Sequence, residues 1–249
     1  MQPTISLGPL VLPTSGIIYI FGAWLALSVV ERAAKRLDLN AEATYSLAAV
    51  SIAAGFIGAR AIFVVLQWPA YRNNLLGIIW PLNSGFELWA GLLFAILAGI
   101  FYGRAKQLPA AATLDALAPG FSSLFIVISL ADFFGGPGYG VETGMPWAID
   151  VFGIRRHPVQ IYEIIIGIAA LASWFAFLKR RSFDGQLFLI SLAIYSGGRL
   201  FVDAYRANAW LTPSGFHILQ LISISILLIS VFLLGRGLID REDAVKSEV

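Results

Sequence analysis

A chain of 249 residues that is 58% hydrophobic and only 13% charged, with a mean hydropathy of +0.79, is too apolar for a water-soluble domain and must use lipid as its solvent. A formal net charge of +2 supplies no broad basic surface, so no nucleic-acid partner is expected. The absence of Cys excludes disulfides, thiolate metal sites and a cysteine nucleophile of the chain's own.

The first cation, Arg32, follows the first apolar segment, so the amino terminus lacks the basic flank of a cleavable signal and is expected to be retained. Apolar runs of about 20 residues, the length that crosses a hydrocarbon core of roughly 30 Å, lie at 14–31, 45–67, 87–103, 111–132, 160–178, 186–206 and 216–235. Between them fall Gly-, Pro- or charge-rich joints, the longest at 133–158. There is no internal repeat or low-complexity linker. The expected fold is all-α, a polytopic membrane protein with about seven transmembrane helices, forming a single integral membrane domain over 1–249 with an external loop at about 133–158.

Cation placement gives an orientation. Arg32, Lys35, Arg36, Arg104, Lys106, Lys179, Arg180, Arg181, Arg236, Arg241 and Lys246 fall on one side; the other holds Arg72, Arg155, Arg156 and Arg206. The Lys-bearing side is read as cytoplasmic, which places the amino terminus outside and the carboxyl terminus inside. An outer face that uses Arg alone suits bidentate recognition of phosphate or carboxylate.

A charge at mid-membrane costs about 2.5–3.5 kcal/mol, so each one needs a partner or a purpose. In the sixth segment Tyr195, Arg199, Asp203 and Arg206 recur at spacings of four, four and three and share one helix face. A purely structural alternative pairs Arg199 with Asp203; the surplus Arg206 then points to an anionic ligand. At the outer start of the fifth segment stand Arg156, His157, Gln160, Tyr162 and Glu163, with Pro158 suited to the first helical position. These residues either solvate a helix start at headgroup level or serve hydrogen bonding and proton transfer. Arg60 lies within the second segment, while Glu87 and Asp132 sit near the outer interface, where both can be merely solvated. His217, at the outer start of the last segment, is assigned a structural role. Two His, no Cys and scattered carboxylates give no metal-ligand spacing, so neither metal nor cofactor is expected.

Gly58-Ala59-Arg60, the run Arg156-His157-Pro158-Val159-Gln160-Ile161-Tyr162-Glu163, and Tyr195 through Arg199 and Asp203 to Arg206 resemble bacterial prolipoprotein diacylglyceryl transferases in order and spacing. The His-Pro-x-Gln-x-Tyr-Glu run is the specific part. The resemblance implies a seven-helix enzyme of the bacterial inner membrane. It would move a diacylglyceryl group from phosphatidylglycerol to the lipobox cysteine thiol of a prolipoprotein, with glycerol phosphate leaving. It further implies that Arg199 and Arg206 hold the phosphate, and that Arg60 or Arg156 anchors a headgroup oxygen or the backbone around the cavity. Two family elements differ here. Trp89, Ala90 and Gly91 stand where the family has His-Gly-Gly, and Ser129, Asp132 and Pro137 stand where its signature has Arg, Asn and Glu.

The expected catalytic set is therefore Arg199, His157, Glu163, Glu87 and Asp132. Arg60, Arg156, Gln160, Tyr162, Tyr195, Asp203 and Arg206 are expected to bind substrate. A non-catalytic or re-purposed relative that binds phospholipid or lipopeptide is the alternative. A small transporter is less favoured, because no paired, interrupted repeats are seen.

Overall fold

The computed structural model describes residues 4–7, 10–73, 75–79, 85–151 and 153–247. Two short strands, β1 (Thr4–Leu7) and β2 (Leu10–Pro13), form an antiparallel hairpin that leads directly into α1 (Thr14–Arg36). The remaining helices are α2 (Ala41–Leu66), α3 (Trp68–Tyr71), α4 (Leu76–Ile79), α5 (Leu88–Ala105), α6 (Ala110–Gly135), α7 (Val159–Phe177), α8 (Gln186–Val202) and α9 (Ile218–Ser247). A second hairpin, β3 (Ile149–Val151) with β4 (Ile154–Arg156), lies in the α6–α7 loop. Among the described residues, seven helices are long and apolar enough to span a membrane, namely α1, α2 and α5 to α9.

Local chemistry sets the helix boundaries. Asn40 caps α2, its side chain accepting the Ala43 N–H at 2.9 Å. The end of α6 is Gly136, whose φ of 99° is a left-handed conformation that costs glycine nothing. A 3-10 turn, Asp203–Tyr205, closes α8. Helix α9 runs well past the expected end at 235, because its apolar stretch continues into a charged helical segment.

Helix α6 is the most buried span and packs on α1, α7 and α8, while α2 joins α1 to α5, and α8 joins α7 to α9. Side chains such as Ile20, Phe101, Phe201 and Phe232 are exposed, as expected where lipid is the solvent. Helices α7 and α8 come close at Gly198. A Cβ there would lie 2.6 Å from an Ile166 side-chain carbon, so glycine is what brings the neighbouring Arg199 against α7.

At the end of the bundle that carries the Lys residues, Asp115 of α6 is fully buried. Its carboxylate accepts the Gly185 and Phe188 N–H groups, each at 2.8 Å, and its backbone carbonyl accepts Trp174 Nε1–H. Arg181 Nε lies 3.8 Å away. The carboxylate thus satisfies orphan amides at the start of α8 and complements the helix dipole. Asp115→Ala leaves those amides without a partner inside the bundle. It is expected to cost about 1–3 kcal/mol of stability, read as a lower unfolding temperature of the detergent-solubilised protein. An unchanged transition would mean that the start of α8 is held by other contacts.

Candidate active site

The polar groups that the sequence scatters over five segments converge at the opposite end of the bundle. Glu163, one turn into α7 and 4% exposed, is the hub. Its Oε1 is ion-paired with Arg199 of α8 and with Arg206 just beyond the 3-10 turn. Ser129 of α6 donates to its Oε2 at 3.2 Å. Two guanidiniums thus share one carboxylate oxygen away from bulk water, so the pair keeps donors beyond those that Glu163 takes up.

The α8 stripe faces inward but does not neutralise itself. Arg199 crosses to Glu163 on α7 instead of pairing with Asp203 one turn away. Asp203, fully buried, lies 3.1 Å through Oδ2 from His217 Nδ1 at the start of α9. The 3-10 turn after Val202 re-aims the chain, so that Arg206 reaches α7 although it is no longer helical. Tyr195 stacks on Phe125 of α6, with ring centroids 3.9 Å apart.

The long loop roofs this cluster. Residues around Gly140 run between two segments: the Val141 N–H donates to Tyr205 O and the Ala207 N–H to Tyr139 O, while the His157 N–H donates to Val141 O. Only glycine fits at 140, since a Cβ would lie 2.4 Å from His157 O. Gly138, with φ 74°, packs against both the Arg206 guanidinium and the Asp132 carboxylate, which places these two groups together. Asp132 accepts a long hydrogen bond, 3.4 Å, from Tyr19 of α1. It has no ion pair within 4 Å among the described residues and is partly exposed at the edge of the cluster.

Gln160, fully buried, donates through Nε2 to Pro137 O at 2.9 Å and ties the loop to α7. His157 Nδ1 lies 3.1 Å from Tyr162 Oη, which accepts Trp147 Nε1–H at 2.8 Å. Tyr162 thus links the loop residue Trp147 to His157 through one hydroxyl. Helix α7 begins at Val159, with Pro158 at its cap. Its polar start is therefore a buried network and not the solvated helix start that the sequence leaves open.

Arg60 and Arg156 both donate to backbone carbonyls. Arg60 donates through Nε to Ile78 O, through one terminal nitrogen to Gly85 O and through the other to Gly77 O, with the Tyr71 ring 5.3 Å below its guanidinium carbon. This arginine folds the α2–α5 connection over itself. Arg156 likewise donates to Gly140 O and lies over the Tyr139 ring, which holds the roofing loop. Glu87 stands at the cap of α5, and its side chain makes no cap hydrogen bond. It is not part of the cluster around Glu163.

Sequence reading passed over Tyr19 at this site and Asp115 at the other end of the bundle, and marked Ser129 only as standing where the family has an arginine. Tyr19 carries no signal in an apolar helix beyond a lone hydroxyl. Asp115 carried a clear one, since a single carboxylate inside an apolar run needs a partner.

Three buried side-chain atoms near the arginines have no hydrogen-bond partner among the described residues: Arg206 Nε, Gln160 Oε1 and Asp203 Oδ1. A donor and two acceptors left open around paired arginines fit a polar guest that the protein alone does not supply.

Residues 2–236 match the family model described as prolipoprotein diacylglyceryl transferase. A Clostridioides difficile protein named phosphatidylglycerol--prolipoprotein diacylglyceryl transferase is 28% identical over 194 residues, 78% of each chain. Proteins of the same name from Finegoldia magna and Staphylococcus aureus are 26% and 27% identical. The first match covers 88% of each chain; the second covers 92% of this chain and 86% of the relative.

Proposed function

The chain belongs to the prolipoprotein diacylglyceryl transferase family, and on that basis we propose that it transfers the diacylglyceryl group of phosphatidylglycerol to the lipobox cysteine thiol of a prolipoprotein. It is an all-α polytopic membrane protein and, as a family member, a transferase. It acts in the bacterial inner membrane, with the amino terminus and the Glu163 cluster toward the outer face, as the Lys and Arg distribution indicates.

The observation that carries this reading is the pair of inward-facing arginines, Arg199 and Arg206, held on one buried carboxylate beside three open polar atoms. The reaction breaks the bond between the glyceryl methylene carbon and a phosphate oxygen, so negative charge grows on the departing glycerol phosphate. Guanidiniums fixed beforehand at that position stabilise the transition state more than the ground state. In the free protein Glu163 holds both arginines at this position. When lipid enters, the phosphate takes over donors from Glu163, and Arg206 Nε becomes a further donor. Gln160, Tyr195 and Asp203 border the headgroup, and Asp132 lies beside Arg206.

The contents of the cluster also favour a second reading, a lipid-binding relative without transfer. Glu163 already neutralises one of the two cations, and Ser129 contributes a hydroxyl where the resemblance implies a third arginine.

Purified protein incubated with phosphatidylglycerol and a lipobox peptide is expected to yield a peptide carrying a diacylglyceryl thioether, detected by mass spectrometry, and an equal amount of glycerol phosphate. Bound lipid without adduct would select the binding reading.

A further inference from the structure

The start of α9 holds an acid–base pair to which the arginine cluster gives no role. His217 Nδ1 lies 3.1 Å from Oδ2 of Asp203, a carboxylate with no solvent exposure. The histidine itself is open, with 27% of its side chain accessible, and Nε2 has no protein partner among the described residues. A carboxylate that accepts Nδ1–H fixes the tautomer, leaves the Nε2 lone pair outward and stabilises the imidazolium once it forms.

Through Asp203 the fold brings this histidine to the same end of the bundle as the proposed reaction. Asp203 lies between Arg199 and Arg206 in the chain, so the pair stands next to the phosphate-holding residues. On its other side, Leu211 pairs antiparallel with His217, and Ile218 donates to Trp210 O at 2.9 Å. The Trp210 ring in turn packs against Trp89 at the start of α5, with centroids 6.1 Å apart. His217 is thus at the outer rim, between the cluster and the α5 end.

Other proton acceptors nearby are more constrained. Glu163 is committed to two arginines, Asp132 lies beside the Arg206 guanidinium and accepts from Tyr19, and His157 is 9% exposed with Nδ1 engaged by Tyr162. A purely structural role for the His217–Asp203 contact, joining α8 to α9, duplicates what Gln220 already does through its bond to Leu200 O at 2.9 Å.

We infer that His217, oriented by Asp203, is the general base that activates the incoming thiol. The inference rests on the transfer reaction proposed above. The thiol proton passes to His217 Nε2, and the sulfur electron pair forms the C–S bond to the glyceryl methylene. The C–O bond breaks, its electron pair leaves with glycerol phosphate held by Arg199 and Arg206, and the imidazolium returns its proton to solvent.

The test measures transfer to a lipobox peptide in phosphatidylglycerol-containing nanodiscs, using wild type, His217→Gln and His217→Ala, with lipid binding and thermal unfolding recorded for each. His217→Gln is expected to lower kcat by about 100-fold or more while lipid binding stays intact, and added imidazole is expected to restore part of the rate of His217→Ala. An active wild type with an equally active His217→Gln overturns the base assignment alone. A loss matched by unfolding and not relieved by imidazole also overturns it, since the pair would then be a structural clamp. A wild type that forms no adduct overturns the transferase reading, and the base assignment falls with it.

Discussion

Arg199→Ala is expected to lower the rate of diacylglyceryl transfer by about 100- to 1,000-fold, the loss that follows when one preorganised donor to a developing anion is removed, about 2.7–4 kcal/mol. The geometry argues that the effect falls on chemistry more than on folding. With Arg199 gone, Glu163 keeps Arg206 as its countercharge and Ser129 as a donor, so no buried carboxylate is left alone. The substitution also shortens a side chain on α8 without touching Gly198, where the α7 contact is made. Arg199→Lys retains the charge but not the planar fork, and is expected to recover only part of the rate. The check is a transfer assay on protein recovered from the membrane fraction at wild-type yield. A variant within a few-fold of wild type would remove Arg199 from the mechanism.

That expectation could be framed from the sequence because intramembrane charge at helical spacing is conspicuous. The inward face of Tyr195 and Arg199 was legible in this way, as were the seven spans, since both follow from hydropathy and the 3.6-residue period, whereas Arg206 lies beyond the helix and is brought in by the 3-10 turn. Partner choice was not. Arg199 has Asp203 one turn away, and only the approach of α7 at Gly198 decides that Glu163, 36 residues distant, takes its place. Asp115 is a similar case, because its partners are amides of Gly185 and Phe188, which offer no side chain to read.

The sequence also misled where hydropathy and helix length part company. Helix α9 continues beyond the apolar stretch because Arg236 and Asp240, four apart, suit a solvated helix as well as a loop. The roofing loop gave no strand signal. Its ladder is a few residues long, rich in Gly and Pro, and depends on Arg206 lying extended beside Gly140. Arg60, read within the second segment, and Arg156, read on the outer side, both donate to loop carbonyls, a use that depends on backbone positions set by the tertiary fold.

Glu163→Ala is expected to destabilise the lipid-free protein by about 3–5 kcal/mol, the cost of leaving a buried ionic cluster without its partner. The cost arises because Arg199 and Arg206, each 16% exposed, would lose the carboxylate they share. Glu163→Gln keeps the shape and one acceptor oxygen, and should lose less. The same deficit makes a distinctive prediction about lipid. If the arginines hold a phosphate, an anionic lipid supplies the missing countercharge, so phosphatidylglycerol should restore stability to the Glu163 variants far more than it raises that of wild type. Unfolding followed in micelles with phosphatidylglycerol or with zwitterionic phosphatidylcholine separates this from general lipid effects. Equal recovery in both would mean that no phosphate enters between the two guanidiniums. Selective recovery with lost transfer would place Glu163 as the group that holds the arginines ready and then yields them to substrate.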